Sequence, residues 1–202
     1  MRTRVPPAGT LAFFAALLIS ARADAHLVTT GLGPVYDGIG HLLLTPEDLV
    51  PILALALYAG LRGARAGRLA LFVLPLSWML GGLLALGLGG AISAPVPALS
   101  FILIGLLVAI DVRLPDGAVA TLAGSLGLIH GFLNGPALAG AGPGALGLLG
   151  IAAVAFVLVA LASALVVSLK APAARIAVRV AGSWIAAIGL LLLGWTLRTR
   201  GV

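Results

Sequence analysis

Cysteine is absent from this 202-residue chain, charged residues make up only 9% of it and aromatic residues 5%. Without a thiol, a disulfide framework, a thiolate metal site and a cysteine nucleophile are excluded together. A soluble domain carries about 25% charged residues. Charges this sparse cannot coat a water-facing surface, so a soluble enzyme is excluded too. What fills the chain is apolar, with 61% hydrophobic residues and a mean hydropathy of +1.22. That is far too apolar for disorder. A helical membrane crossing takes about 20 residues, which leaves room for about six or seven crossings and little else. The expected class is an all-α membrane protein, one polytopic domain over residues 26–202.

Acidic residues are also few, 6 Asp and Glu against 12 Lys and Arg, and the pI is near 11.4. The bases are dispersed. Arg2, Arg4 and Arg22 lie in the first 25 residues, and the other nine are spread over short loops and the C-terminus. Such a spread suits topology signals better than a phosphate-binding stripe, so nucleic acid is not an expected partner. Residues 1–25 have the form of a secretory signal, with Arg2 and Arg4 before the apolar Leu11–Ile19 stretch and a small-x-small site at Ala23-Asp24-Ala25. The other reading keeps the segment as an uncleaved anchor. Cleavage after Ala25 would make His26 the first residue, its free amine and imidazole forming a chelate for a divalent ion.

Apolar runs predict spans at about 46–61, 69–90, 97–114, 117–139, 145–169 and 177–197, a bundle of about six transmembrane helices. Their lengths exceed those of barrel strands. The basic loops are every other loop. Placing them in the cytoplasm puts Arg62, Arg65, Arg68, Arg113, Lys170, Arg175 and Arg179 inside, against Arg198 and Arg200 outside. The protein is then expected in a bacterial-type inner membrane with an extracytoplasmic mature N-terminus, whether or not the signal is cleaved. Small residues recur at four-residue spacing, as in Gly140 with Gly144 and Gly182 with Ala186, which favours close helix packing in lipid.

An ionised side chain at mid-bilayer costs about 2.5–3.5 kcal/mol on insertion scales, so the few polar residues near or within spans carry the information. Outside the signal and the basic loops they are His26, Asp37, His41, Glu47, Asp48, Asp111, His130 and Asn134. Thr45-Pro46-Glu47-Asp48 has the form of a helix start, with Thr45 as N-cap, Pro46 at the first position and two acids on the positive dipole end. Asp111, before Arg113 and Pro115, fits a local ion pair or a headgroup-level residue. Asp37 and His41 are four residues apart, one face of a helix, and could present a carboxylate and an imidazole to one cation. The surrounding glycines make a regular helix doubtful, an interfacial or re-entrant segment fits equally, and His41 could simply donate to a carbonyl. His130 and Asn134 repeat the spacing inside the 117–139 span, and Gly135-Pro136 predicts a break or kink of the kind that lines cavities in membranes.

These residues resemble the HupE/UreJ family of small membrane proteins, associated with hydrogenase and urease maturation and regarded as nickel or cobalt permeases. The likeness covers most of the mature chain. The family's first signature, His-Pro followed closely by Gly-x-Asp-His-Leu, corresponds to Gly33-Pro34 and Gly38-Ile39-Gly40-His41-Leu42. Pro34, Gly38, His41 and Leu42 match, and Asp37 offers a carboxylate one turn before the family's position. The second, His-Gly-x-x-His-Gly, corresponds to His130-Gly131-Phe132-Leu133-Asn134-Gly135, with Asn134 in place of the second His.

Imidazole with carboxylate or amide oxygen suits Ni(II), Co(II) or Zn(II), whereas Cu(I) wants sulfur. Met1 and Met79 are the only methionines. The expected metal ligands are therefore His26, Asp37, His41, His130 and Asn134, with Asp37 and His41 forming an outer site and His130 with Asn134 an inner one. A resident cofactor is not expected. Nor is catalysis: His130-x-x-x-Asn134 resembles an oxyanion pair of rhomboid proteases, yet no Gly-x-Ser-Gly and no later His accompany it. With no phosphate-binding loop either, the expected function is a secondary permease or handler of a nickel- or cobalt-like divalent ion. The alternative is a non-transporting accessory or scaffold protein that meets metalloenzyme-maturation partners at the membrane.

Overall fold

A computed structural model describes residues 29–89, 95–140, 142 and 144–200. Residues 1–25, expected to be a signal, and His26 lie outside the described residues. Within them the chain forms α1 (Pro34–Leu44), α2 (Pro46–Arg62), α3 (Ala64–Leu88), α4 (Val96–Ile110), α5 (Asp116–Gly140), α6 (Gly144–Ser168) and α7 (Pro172–Arg200). Prolines open α1, α2, α4 and α7 within their first two positions, where the missing N–H costs nothing and φ is already set for a helix. Asp111 closes α4 in the left-handed region at φ 58°, a conformation Asp tolerates through its short polar side chain.

By length and composition α3, α5, α6 and α7 can each cross a membrane. The α1–α2 pair, bent by 77° at Thr45, counts as a fifth crossing if it is one broken span, and α4 is a shorter apolar helix of 15 residues. The outside of the bundle is apolar: Leu76, Leu161, Leu191, Trp184 and Trp195 are each about two-thirds exposed or more. Such a surface is unstable in water and suited to lipid.

The helix over 34–44 is regular despite its glycines, and Gly38 serves a crossing rather than a turn. A Cβ on Gly38 would overlap the Gly147 carbonyl of α6, and one on Gly150 would overlap Val35 of α1. The same device joins α3 to α5, where Gly81, Gly127 and Gly131 each meet the partner's backbone. It also joins α4 to α7, where Gly105 lies on Ala186 and Gly182 on Val108. Van der Waals contact between backbones takes the place of the hydrophobic drive that lipid cannot supply. The Gly182 and Ala186 pair is thus a packing face. Gly140 and Gly144 are not, since a Cβ on either would meet open space.

α5 runs without interruption from Asp116 through Pro136 to Gly140. Of the break or kink expected at Gly135-Pro136, the break does not form, and Gly135 admits Ala85 of α3. The fully buried core comprises Leu42, Ile52, Leu55, Tyr58, Leu74, Trp78, Leu148 and Ile151, among others.

Candidate metal centre

Asp48, Trp78 and His130 each lie about 14 residues from the helix end at the basic-loop face, marked by Arg62, Ala64 and Asp116. At about 1.5 Å per residue they share a level about 21 Å from that face. The α1–α2 bend brings the last turn of α1 and the first turn of α2 to this level. His41 and Asp48, seven positions apart in sequence, therefore both reach α5.

The four side chains form one chain of hydrogen bonds. His41 Nε2 donates to Asn134 Oδ1. Asn134 Nδ2 donates to Asp48 Oδ2 at 2.9 Å and to the His130 carbonyl at 2.9 Å. His130 Nδ1 donates to Asp48 Oδ1 at 2.8 Å. His130 Nε2 then lies 2.9 Å from Ser100 Oγ of α4. All four are inside the bundle, His130 at 0% exposure, Asn134 at 5%, Asp48 at 6% and His41 at 9%.

This pattern fixes the donors. A flipped Asn134 amide would turn its oxygen onto two other oxygens, so Oδ1 must face His41 and His41 must carry its proton on Nε2. The lone pair of a neutral His41 is then on Nδ1. His130 has the opposite tautomer: its Nδ1–H is held by the Asp48 carboxylate, so the neutral ring turns its Nε2 lone pair toward Ser100. The Ser100 hydroxyl has one proton and two acceptors near 2.9 Å, Nε2 and the Val96 carbonyl. Carboxylate on one imidazole nitrogen with the other left as a base is the arrangement that orients metal-ligating histidines. The indole of Trp78 packs against His130 with ring centroids 5.6 Å apart. Its Nε1 is buried without a partner among the described residues.

Ser100 and His130 also line a groove of about 210 Å³ between α4 and α5, whose other walls are Ser125 and aliphatic side chains such as Leu103, Leu122 and Ile129. The polar chain thus runs from His41, at the α1 side, to a groove on another side of the bundle.

Several sequence expectations are corrected here. Outer and inner pairs do not form two sites: His41 joins Asn134, and through it His130, in one. Asp37 stands apart: one turn before His41 on the same helix face, its Oδ1 is taken up by the loop before the helix, accepting from Thr30 N at 2.6 Å and Thr30 Oγ1 at 2.7 Å. Asp48 is more than a charge on a helix dipole. Glu47 is exposed and meets that description, whereas Asp48, one residue on, turns inward. Thr45 holds the N-cap position, but its hydroxyl donates back to the His41 carbonyl at 2.7 Å instead of capping α2. Asp111 pairs with Arg62 from α2, not with Arg113. Ser100 and Trp78 were missed; Ser100 is the sole hydroxyl in the aliphatic run of α4, and that isolation was its only signal.

Among the described residues no three His, Cys, Asp or Glu side chains are grouped to hold one metal ion. The cluster's donors are bonded to one another, with amide and hydroxyl groups between them.

Apolar exterior, glycine-packed helices and a buried imidazole–carboxylate–amide cluster define a polytopic helical membrane protein with a buried polar centre. The chain matches the family described as HupE / UreJ protein over residues 14–192 and belongs to that family. No curated protein and no solved structure matches it.

Proposed function

We propose that this protein carries a divalent transition metal ion of the nickel or cobalt kind across the membrane, as a secondary permease without ATP hydrolysis or catalysis. Membership of a family associated with nickel and cobalt handling for hydrogenase and urease supports the ion class. The observation that carries the reading is the orientation of His130 by Asp48. Burying a carboxylate and two imidazoles in an apolar bundle is costly unless a counter-charge uses them. With Asp48 ionised and both rings neutral the cluster bears one negative charge, which favours a cation. His130 Nε2 is the donor such an ion would use, with Asp48 holding the ring from Nδ1, and His41 Nδ1 offers a second lone pair at the other end of the chain of hydrogen bonds.

In this reading α2 and α4 complete six crossings, α1 re-enters at the outer end, and the basic loops face the cytoplasm. Asp37 and, on a cleaved chain, His26 would act only in capture outside. A second reading, a non-transporting partner of metalloenzyme maturation, is favoured by one fact: the cluster's polar atoms already satisfy one another.

Uptake of Ni(II) or Co(II) into proteoliposomes separates the two. His130→Ala and His130→Gln are expected to insert normally and lose uptake at least tenfold, since each removes the imidazole. If wild-type vesicles take up no more metal than empty ones, the permease reading fails and the accessory reading stands. Equal uptake by wild type and a well-folded His130→Ala would remove the cluster from the path.

A further inference from the structure

The helix ends opposite the cluster hold a second polar assembly, unrelated to the metal reading. Arg62, Arg65, Arg68, Arg113, Lys170, Arg175 and Arg179 gather there, against Asp111 and Asp116. Both acids are already paired. Asp111 is bonded to Arg62, whose side chain is only 7% exposed and stacks over the Tyr58 ring at 5.4 Å. Asp116 accepts from Arg65 Nε at 3.1 Å. Two further guanidiniums cap helix ends: Arg175 donates to the Leu61 carbonyl at 3.2 Å and Arg179 to the Ala109 carbonyl at 2.9 Å. Arg113 has no hydrogen-bond or ion-pair partner among the described residues.

Between α2, the α4–α5 loop and the start of α7 lies a cleft of about 350 Å³ lined by Arg62, Arg113, Arg175, Asp111, Asp116 and Leu114. Unlike the aliphatic α4–α5 groove, its walls are mostly charged. A guanidinium has five N–H donors in a rigid fork. Arg175 spends one of them on Leu61, and Arg113 spends none. A preference for bases in cytoplasmic loops explains how many there are, but not the convergence of Arg62, Arg113 and Arg175 on one cleft whose two acids are already paired, with Arg62 and Arg65.

We infer that this cleft binds a phosphate group, with Arg113 and Arg175 as its forks, and that the phosphate is the headgroup of an anionic phospholipid. Forked guanidiniums match phosphate oxygens in geometry and charge, and basic pockets at the ends of membrane helices suit such headgroups. Position favours lipid over free phosphate. The cleft lies where the helices end, and the first turns of α7 beside it expose Ile176 and Val180, an aliphatic track along which acyl chains can lie.

The test uses the full chain purified in detergent, with binding read by native mass spectrometry and by thermal shift. The probes are phosphatidylglycerol, phosphatidylcholine and inorganic phosphate. Arg113→Gln is the main variant, because Arg113 makes no hydrogen bond or ion pair among the described residues, so its loss is expected to leave the fold intact. Arg68→Gln, a base at the same face outside the cleft, is the control. Phosphatidylglycerol is expected to bind at least tenfold tighter than phosphatidylcholine, with Arg113→Gln losing about tenfold, the worth of one charge-assisted bond, and Arg68→Gln less than twofold. Stabilisation by inorganic phosphate equal to that by phosphatidylglycerol, and lost in Arg113→Gln, would keep the site but make its ligand a free anion, overturning the lipid assignment. Equal binding of both lipids with no phosphate effect overturns the site. So does an equal loss in the two variants, which would mean a diffuse basic face instead of a cleft.

Discussion

Asp48 is the residue on which the polar centre hangs. Its two oxygens accept from different side chains, His130 and Asn134, and through Asn134 it is linked to His41. Removing it leaves two buried donors unsatisfied, each costing about 1–3 kcal/mol. Asp48→Ala is therefore expected to lower the unfolding free energy in detergent by about 2–5 kcal/mol, measured by thermal or denaturant unfolding. Asp48→Asn, of the same shape, should cost less in stability while weakening Ni(II) or Co(II) binding at least tenfold in equilibrium dialysis, because it removes the cluster's charge. An Asp48→Asn protein that binds metal like wild type would place the ion elsewhere.

At the scale of elements, glycine faces set the distances that make the cluster possible. Gly127 and Gly131 let α5 lie against the backbone of α3 around Leu74 and Trp78, which puts His130 beneath the Trp78 indole and within reach of Asp48. Adding one methyl at Gly127 forces the two backbones apart. Overpacking of this kind costs about 1–3 kcal/mol and sometimes more. Gly140, in the same helix with open space around it, is the matched control: Gly140→Ala should be neutral or stabilising by up to about 1 kcal/mol. Thermal unfolding of both variants checks this, and equal effects would mean that α3–α5 contact does not set the stability.

For the whole molecule the two ends differ in chemistry. One collects bases, ion pairs and carbonyl-capping arginines. The other carries the α1–α2 bend, the α5–α6 turn and the shorter path to the cluster, His130 lying about ten residues, roughly 15 Å, from Gly140. A bilayer distinguishes such ends by the basic residues. A reporter fused after Arg65 is expected to be cytoplasmic and one inserted at Gly142 extracytoplasmic, as read by paired phosphatase and fluorescent-protein fusions. The reverse pattern would invert the direction of any metal passage.

Apolar run length, proline starts and the placement of bases are local properties, and the sequence alone was enough for them: an all-helical membrane chain, helices near their expected bounds and the polar residues worth attention. His41, His130 and Asn134 stood out because any polar side chain in such a run needs a reason. Tertiary structure decided which of these residues meet. Helical spacing favoured the local pairs Asp37 with His41 and His130 with Asn134, since i and i+4 share a face. Hydrogen bonds across 82 to 93 positions made a single cluster instead. Asp48 shows why this was hidden. Beside Glu47, and two residues after a proline start, its local setting accounts fully for an acid on a helix dipole. Only the 77° bend at Thr45 and the glycine-close approach of α3 to α5 turn that same carboxylate into the group that holds His130. The angle between two helices and the distance between two backbones depend on contacts remote in sequence, so no local pattern could carry them.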